Sequence, residues 1–172
     1  MIAPTLHTER LTLRMPVLDD FDAYAEIMAG DVHGYMGGPF SRAEAWDDYC
    51  VGIAGWALRG HGTWSADDTK AQNLLGFVGL NLEFGDPERE LGWMFTPAAR
   101  GKGYAFEAAT AIRDHAFETL DWPDFVSYVD PANTKSRALA EKLGAKIDPD
   151  APLPEGETPA DVVVYRHRKV AA

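Results

Sequence analysis

The segment from Arg100 to Ala105 has the composition of an anion-binding turn. It consists of Arg-Gly-Lys-Gly-Tyr-Ala and lies between a predicted strand and the first turn of a predicted helix. Gly101 and Gly103 allow a tight turn and a close approach of the backbone to a ligand, and a helix start offers free N–H groups and the positive end of a dipole. Arg100 and Lys102 add positive charge. A plain tight turn with solvated basic side chains is the alternative interpretation of the same residues.

Two common phosphate-binding motifs are excluded at this turn. A P-loop requires Ser or Thr after its Gly-Lys pair, and Gly103 stands at that position. A dinucleotide-binding fingerprint requires a third glycine where Phe106 stands. Any phosphate bound here is therefore held in another way.

Four motifs, taken together, resemble one protein family. The string at Arg100–Ala105 matches the Arg/Gln-x-x-Gly-x-Gly/Ala signature of the GNAT superfamily of acetyl-CoA-dependent N-acetyltransferases, and the order of predicted elements from Leu6 to Val170 matches theirs. The other three motifs resemble the branch that acetylates ribosomal-protein N-termini. They are Thr-Glu-Arg-Leu-x-Leu-Arg at Thr8–Arg14, Glu-Leu-Gly-Trp at Glu90–Trp93, and Asn133-x-x-Ser136 before Leu143-Gly144.

The resemblance implies a set of acetyl-CoA contacts. Backbone amides of the turn would hold the pyrophosphate, and a strand that splays from its neighbour would bind the pantetheine arm and act as an oxyanion hole. Asn133 would contact the cofactor arm, and Ser136 would donate a hydrogen bond to the leaving thiolate. From their residue types alone, these two side chains predict helix capping after Pro131. The implied backbone contacts come from Met94, Phe95 and Thr96 on the strand and from Arg100, Gly101, Lys102, Gly103, Tyr104 and Ala105 in the turn.

An amine acceptor sets a separate requirement, because only a neutral amine attacks a thioester. With reference pKa values of about 10.4 for a lysine amine and about 7.7–8.0 for an α-amine, deprotonation at pH 7 costs about 4.6 and 1.2 kcal/mol respectively. Related histone acetyltransferases carry a catalytic glutamate on the strand where Glu90 stands, and strand alternation places Glu90 on the face opposite Leu91 and Trp93. The resemblance thus implies Glu90 as the general base, while an ion pair with Arg89 is the structural alternative. Glu83, on the adjacent predicted strand, is the second candidate.

The general acid is less clearly indicated by the sequence. Many members of the family carry a tyrosine in the helix that follows Asn133, and the segment from Thr134 to Leu143 contains none. Ser136 or water therefore remains as the acid.

The implied activity is acetyl transfer from acetyl-CoA to a primary amine. The resemblance to the ribosomal branch favours the α-amine of a protein N-terminus as the acceptor. A small-molecule amine, such as a polyamine, an amino acid or an aminoglycoside, is the alternative acceptor. A non-catalytic module that binds CoA without turnover is the alternative from another class of function.

Composition predicts a single domain, residues 1–172. The chain has 172 residues with 16 basic and 27 acidic side chains, and therefore a formal net charge of −11. Such a charge repels phosphate backbones, so we expect no nucleic-acid partner.

Cysteine and histidine content bears on the compartment and on metal binding. Cys50 is the only cysteine, so we expect a reducing cytoplasm. The five histidines lack the spacing of metal ligands, so we expect no metal. We also expect no export signal and no membrane span, while a homodimer fits the usual symmetry of oligomers.

Hydrophobic periodicity and turn residues predict the order β-α-α-β-β-β-α-β-α-(β)-β. This order indicates an α/β protein with one mixed, mostly antiparallel sheet and helices on both faces, in a GNAT-like fold. Trp46, Trp56 and Trp64 are predicted core residues, and the proline-rich segment 148–159 is predicted to be a loop that covers the acceptor or an interface. The predicted strands are 6–14, 62–65, 74–84, 90–95, 125–129 and 162–170, and the predicted helices are 20–29, 41–59, 104–120 and 134–143.

Overall fold

The computed structural model describes residues 2–30, 35 and 38–169. These residues form eight strands and four α-helices in the predicted order. The strands are β1 (Leu6–His7), β2 (Leu11–Arg14), β3 (Thr63–Asp68), β4 (Leu74–Asn81), β5 (Glu90–Phe95), β6 (Asp124–Val129), β7 (Lys146–Ile147) and β8 (Val163–Arg168). The helices are α1 (Phe21–Ala29), α2 (Arg42–Leu58), α3 (Tyr104–Glu118) and α4 (Thr134–Lys142).

The strands form one mixed sheet in the order β1-β2-β3-β4-β5-β6-β8-β7. β5 and β6 are parallel, and every other neighbouring pair is antiparallel. Helix α3 packs on one face through Ala108, Ala109 and Ile112, whereas α1 and α2 pack on the other face against Phe77 and Met94. The predicted α/β class, with one mixed and mostly antiparallel sheet and helices on both faces, is confirmed.

The predicted strand 6–14 is interrupted by a turn. Thr8 Oγ1 donates to Glu107 of α3 at 2.5 Å, and the Arg10 guanidinium pairs with the same carboxylate at 2.6 Å. The backbone N–H of Arg10 also donates to Glu107 at 2.8 Å. Because Glu107 satisfies the polar groups of this turn, the segment divides into β1 and β2 instead of running straight.

A buried ion-pair network fixes the start of α1 against the sheet. Arg14 of β2 pairs with Asp20 at 2.7 Å and with Asp67 of β3 at 2.5 Å. Asp20 is only 5% exposed and also accepts from the Ser65 hydroxyl at 2.7 Å. The arginine at the end of the Thr8–Arg14 motif therefore orients one of the two helices that flank the site.

Two further boundaries differ from prediction for local reasons. The strand predicted to reach residue 84 ends at Asn81, because the Glu83 N–H donates to the Asp86 carboxylate at 2.8 Å and starts a turn. Helix α3 ends at Glu118 instead of residue 120, because the Trp122 N–H donates to the Ala116 carbonyl at 3.0 Å.

The tryptophan prediction is correct for two of three residues. Trp56 and Trp64 are buried and pack edge to face, with ring centroids 4.3 Å apart. Trp46 is 41% exposed, so its assignment to the core is wrong. It lies instead at the rim of α2, edge-on to Phe21.

The proline-rich loop packs along the sheet next to β6 and β8. Ala151 and Leu153 contact the buried valines of these two strands, and Asp148 pairs with Arg166 of β8. Arg166 also pairs with Glu88 at 2.7 Å, which joins the loop to the segment that enters β5.

Candidate active site

The central feature of the site is an opening between the parallel strands β5 and β6. Only Glu90 and Val126 are in register across this pair, and the strands separate beyond them. The last direct link is made by Ser127, whose hydroxyl donates to the Leu91 carbonyl at 2.6 Å and lies 3.0 Å from His167 Nε2. Because Ser127 has one hydroxyl proton and donates it to the Leu91 carbonyl, the His167 Nε2–H donates to the Ser127 oxygen.

Backbone alternation identifies the groups that face this opening. The carbonyls of Leu91 and Phe95 point toward it, since they accept from Ser127 and from Arg100 Nε. Trp93 lies midway between them, so its N–H and C=O point the same way, as does the Phe95 N–H. These groups have no strand partner on that side within the described residues.

The same alternation corrects part of the predicted cofactor strand. Thr96 is two residues beyond Met94 and donates its N–H to Leu75 of β4, so alternation points the backbone groups of Met94 toward β4 as well. The Thr96 N–H donates to Leu75 at 2.9 Å, and its carbonyl accepts from Ala99 at 3.0 Å. Phe95 and Trp93, rather than Met94 and Thr96, therefore present free backbone groups to the opening.

A cavity of about 560 Å³ lies between the end of β5, the 100–106 turn and α4. The predicted site residues that line it are Met94, Phe95, Arg100, Gly101, Gly103, Tyr104, Ala105, Asn133 and Ser136. The predicted residues Thr96 and Lys102 do not line it, and the Lys102 carbonyl instead accepts from Arg10 at 3.0 Å.

The turn before α3 has the geometry of an anion-binding helix start. Gly101 and Gly103 adopt φ values of +74° and +83°, in the region that favours glycine. Gly103 is the N-cap residue, and no side chain caps the helix. The first N–H groups of a helix lack intrahelical acceptors, so these amides are available to a ligand.

Sequence reasoning missed the wall that α4 contributes to this cavity. Lys135, Leu139 and Lys142 line it from one face of the helix. The signal was their spacing of four and three residues, which places them on one side of a helix. Lys135, Lys142 and Arg100 concentrate positive charge beside an apolar channel in an otherwise acidic protein. A long thiol with phosphate groups at one end fits this combination.

Asn133 and Ser136 have structural roles at the start of α4. The Asn133 Oδ1 accepts from the Ser136 N–H at 3.1 Å, so the capping interpretation is correct for Asn133. The Trp93 indole N–H donates to the Ser136 hydroxyl at 3.3 Å. This contact occupies one lone pair of Ser136 and leaves its proton free to point into the cavity.

A second cavity of about 300 Å³ lies on the other side of β5, under α1 and α2. Trp93 and Met94 line both cavities. The walls of the second cavity carry three carboxylates and four aromatic rings, and no Lys or Arg among the described residues lines it. These residues are Asp48, Glu83 and Glu90, with Tyr24, Phe40, Phe77 and Trp93.

The carboxylates of this second cavity perturb one another. Burial raises the pKa of Glu90 to about 8, and the negative charges of Asp86 and Glu83 contribute to the rise. Desolvation, together with Asp48 and Asp86, raises the pKa of Glu83. Burial also raises the pKa of Asp48, although that carboxylate accepts a hydrogen bond from the Tyr24 hydroxyl. An acidic residue with a pKa near neutrality is suited to proton transfer.

The two cavities approach each other at the opening. A small cavity of about 110 Å³ between β5 and β6 is lined by Glu90, Trp93 and Ser136, among others. Tyr35 lines this cavity and the larger one, and Phe40 lines the second cavity. Both residues belong to the segment 34–40 between α1 and α2, of which residues 34, 36 and 37 lie outside the described part of the chain.

Within residues 2–30, 35 and 38–169, no group of three or more His, Cys, Asp or Glu side chains is arranged to hold a metal ion. In the same residues, no helix has the length and apolarity needed to cross a membrane.

Comparison with known proteins agrees with this geometry. The family described as "Acetyltransferase (GNAT) domain" matches residues 10–146. An acetyltransferase structure from Agrobacterium tumefaciens is 42% identical, with a TM-score of 0.91 over 98% of this chain and 96% of that one. An uncharacterized N-acetyltransferase, p20, from Bacillus licheniformis is 31% identical over 81% of this chain and 80% of that protein. The chain belongs to the GNAT acetyltransferase family.

More distant structures share the fold without fixing the acceptor. A ribosomal L7/L12 α-N-protein acetyltransferase, solved with coenzyme A, is 16% identical with a TM-score of 0.76, and the match covers 96% of this chain and 98% of that one. Spermidine N-acetyltransferase from Vibrio cholerae, solved with CoA and spermine, is 20% identical with a TM-score of 0.70, over 92% and 94%. The match to two curated Bacillus subtilis relatives spans only 43% and 52% of their lengths.

Proposed function

We propose that this protein transfers an acetyl group from acetyl-CoA to a primary amine. The observation that carries the proposal is the meeting of two chemically different cavities at the β5–β6 opening. One has an uncapped helix start and basic side chains, and the other has carboxylates and aromatic rings. Trp93 lies between them and lines both. A bound acetyl thioester would thereby face a bound amine.

The chain's own groups have separable roles on the thioester side. Amides of the Gly101–Ala105 turn would bind the diphosphate, and Lys135 and Lys142 would balance its charge. The acetyl thioester would be the acyl donor. The Phe95 N–H, which faces the opening, would donate to the carbonyl oxygen as negative charge develops there. The Ser136 hydroxyl would donate its proton toward the departing sulfur while Trp93 fixes its orientation.

Glu90 is assigned to the amine side. An ammonium ion that enters the second cavity meets three carboxyl groups and, among the described lining residues, no Lys or Arg side chain, which favours its binding. The ionised Glu90 would then accept one proton from the nitrogen, directly or through a water molecule. The neutral nitrogen forms the new N–C bond as the C–S bond breaks, and the sulfur leaves with its electron pair. The second proton, which the nitrogen loses as it becomes an amide, passes to the sulfur through water or the Ser136 hydroxyl.

The acceptor is assigned to the α-amine of a protein N-terminus. The assignment is supported by the Thr8–Arg14 motif and by the small free energy, about 1.2 kcal/mol, needed to deprotonate an α-amine at pH 7. A small-molecule amine is the second candidate, because Asp48 and Glu83 could bind an additional positive charge. A CoA-binding module without turnover is the third.

Thermal unfolding with acetyl-CoA, CoA and NAD tests the cofactor assignment. At a hundredfold excess over the dissociation constant, binding adds about 2.7 kcal/mol to the free energy of unfolding. For a domain of this size we expect Tm to rise by roughly 5–10 °C with acetyl-CoA or CoA and not with NAD. An unchanged Tm with both CoA compounds would contradict the proposal. Release of free CoA in the presence of an amine panel then separates an enzyme from a binding module.

Paired glycine substitutions test the diphosphate site. Gly103→Ala and Gly144→Ala each place a Cβ on a residue with a φ near +85° at a helix end, so both are expected to lower the free energy of unfolding by about 1–2 kcal/mol. Only Gly103 lines the large cavity. We expect Gly103→Ala to raise KM for acetyl-CoA about tenfold, measured by CoA release, and Gly144→Ala to leave KM within about twofold. Equal KM values in the two variants would remove the turn from the binding site.

A further inference from the structure

Three large apolar side chains surround one groove at the surface. Val51, Leu58 and Phe84 are 53%, 80% and 101% exposed, respectively. All three line a groove of about 200 Å³ between α2 and the residues that follow β4. Scattered exposed apolar residues are ordinary, but several around one concave surface mark a binding site.

Local structure explains why these side chains lie together. Val51 and Leu58 are seven residues apart, two helical turns, and so project from the same side of α2. Gly55 lies close to the backbone at His61, where a Cβ would be only 2.6 Å from the His61 carbonyl oxygen. This close approach lowers the floor of the groove. Phe84 follows the point at which β4 leaves the sheet.

The groove continues into the amine cavity. Gly52, Asn81 and Glu83 line both. Asn81 is in register with Glu90, and Phe84 lies three residues beyond Asn81. At about 3.3 Å per extended residue this separation is at most roughly 10 Å. An extended peptide covers that length with about three residues.

Charge varies along this path in the order that a peptide N-terminus requires. Glu90 and Asp48 lie at the inner end, where an α-ammonium group would arrive, and Glu83 lies at the junction. The outer part is formed by apolar side chains, with Arg59 as its charged lining residue apart from Glu83. A small amine would be contained in the inner cavity and would leave the apolar part uncovered.

We propose that this groove, defined by Val51, Leu58 and Phe84, binds the first residues of a peptide acceptor and selects an apolar side chain at its third or fourth position. The inference rests on the proposed function, because it places the α-amine at Glu90. The peptide would run between α2 and the β4–β5 turn, with its apolar side chain between Leu58 and Phe84.

Two peptide amides that differ only in polarity provide the test. Ser-Gly-Leu-Leu-Ala-Gly-Gly and Ser-Gly-Asn-Asn-Ala-Gly-Gly have side chains of similar size. We expect the leucine peptide to have at least a tenfold higher kcat/KM, because a leucine leaves water on binding. Phe84→Ser should reduce this ratio to near one. Ile147→Ser is the matched control, since Ile147 is 52% exposed on β7, away from the groove, and this variant should keep the wild-type ratio.

Binding measured without chemistry separates this inference from the proposed function. Peptides labelled at the C-terminus are titrated in the presence of CoA and followed by fluorescence anisotropy. If the wild type binds the leucine peptide more tightly, Phe84→Ser loses this preference, and no amine is acetylated, then the groove is supported and the proposed activity is contradicted. Acetylation of small amines with no peptide preference overturns the groove. If the wild type shows no peptide preference and is a dimer that Phe84→Ser converts to a monomer, then the groove binds a second copy of this protein and the peptide proposal is overturned.

Discussion

Glu90→Gln is expected to lower kcat/KM for amine acetylation by about 10²-fold at pH 8, the lower end of the usual contribution of a general base. Burial and nearby carboxylates raise the pKa of Glu90 to about 8 in the free protein. The kcat/KM profile reports ionisations of both the free protein and the free amine, so it is measured with an acceptor amine of pKa about 10.4, which stays protonated below pH 9.5. The wild-type profile should then rise through a pKa near 8 and level off. The glutamine variant needs an amine that is already neutral, so its profile should show no levelling near pH 8.

The kcat profile should differ from the kcat/KM profile in a defined direction. A bound ammonium ion beside Glu90 stabilises the carboxylate, so the pKa seen in kcat should lie below the value of about 8 for the free protein. Initial rates at saturating and limiting amine between pH 6 and pH 9.5 measure both profiles. Identical profiles for the wild type and Glu90→Gln would remove Glu90 from the mechanism.

Glu83→Gln is the matched control for this assignment. Glu83 lines the same cavity, and its pKa is also raised, but it lies at the exposed rim rather than next to the β5–β6 opening. We expect Glu83→Gln to raise KM for the amine while the levelling near pH 8 is retained. If that levelling is lost in Glu83→Gln instead, the base is Glu83.

Elements with local signals were predicted well from the sequence. β5 begins at Glu90 and ends at Phe95 as predicted, because turns precede and follow an alternating strand. The Ser41–Glu44 capping box forms with both hydrogen bonds in place and starts α2 at Arg42. In such cases the interactions that define the element lie within a few residues of it.

Features set by distant residues were not predicted. The turn between β1 and β2 depends on Glu107, almost a hundred residues away along the chain. Asp48 and Tyr24 meet in the amine cavity only because α1 and α2 pack side by side, and neither helix alone indicates a site. The alternation of residues along β5 likewise does not indicate where this strand separates from β6.

The contrast between local and distant interactions explains which residues of the candidate site were predicted. The anion-binding turn has a short sequence motif, and the motif and the family together predicted nine of the residues that line the large cavity. The amine cavity is built from single residues on α1, α2, β4 and β5. Such a surface carries no motif, and this is why Glu90 and Glu83 were the only members predicted to act on the amine.

Glu90→Gln should also stabilise the folded protein. The pKa of Glu90 is about 8 in the folded state and 4.5 as its reference value, so the folded state holds the proton more tightly between those pH values. Below pH 4.5 the residue is neutral in both states and costs nothing. As pH rises toward 8, the unfolded state gains increasing stability by ionising, and the penalty on folding reaches on the order of 3–5 kcal/mol above pH 8.

A glutamine has no such penalty, so the difference in the free energy of unfolding between Glu90→Gln and the wild type should be near zero at pH 4.5 and grow to several kcal/mol by pH 8. Urea titrations of both proteins at pH 4.5, 6, 7 and 8 measure it. Glu88→Gln is the control: it breaks the ion pair with Arg166, so it should destabilise the protein. A constant difference across this range would show that Glu90 ionises freely. A loss of activity that coincides with a gain in stability is the expected result for a charge buried at a site for the sake of its chemistry.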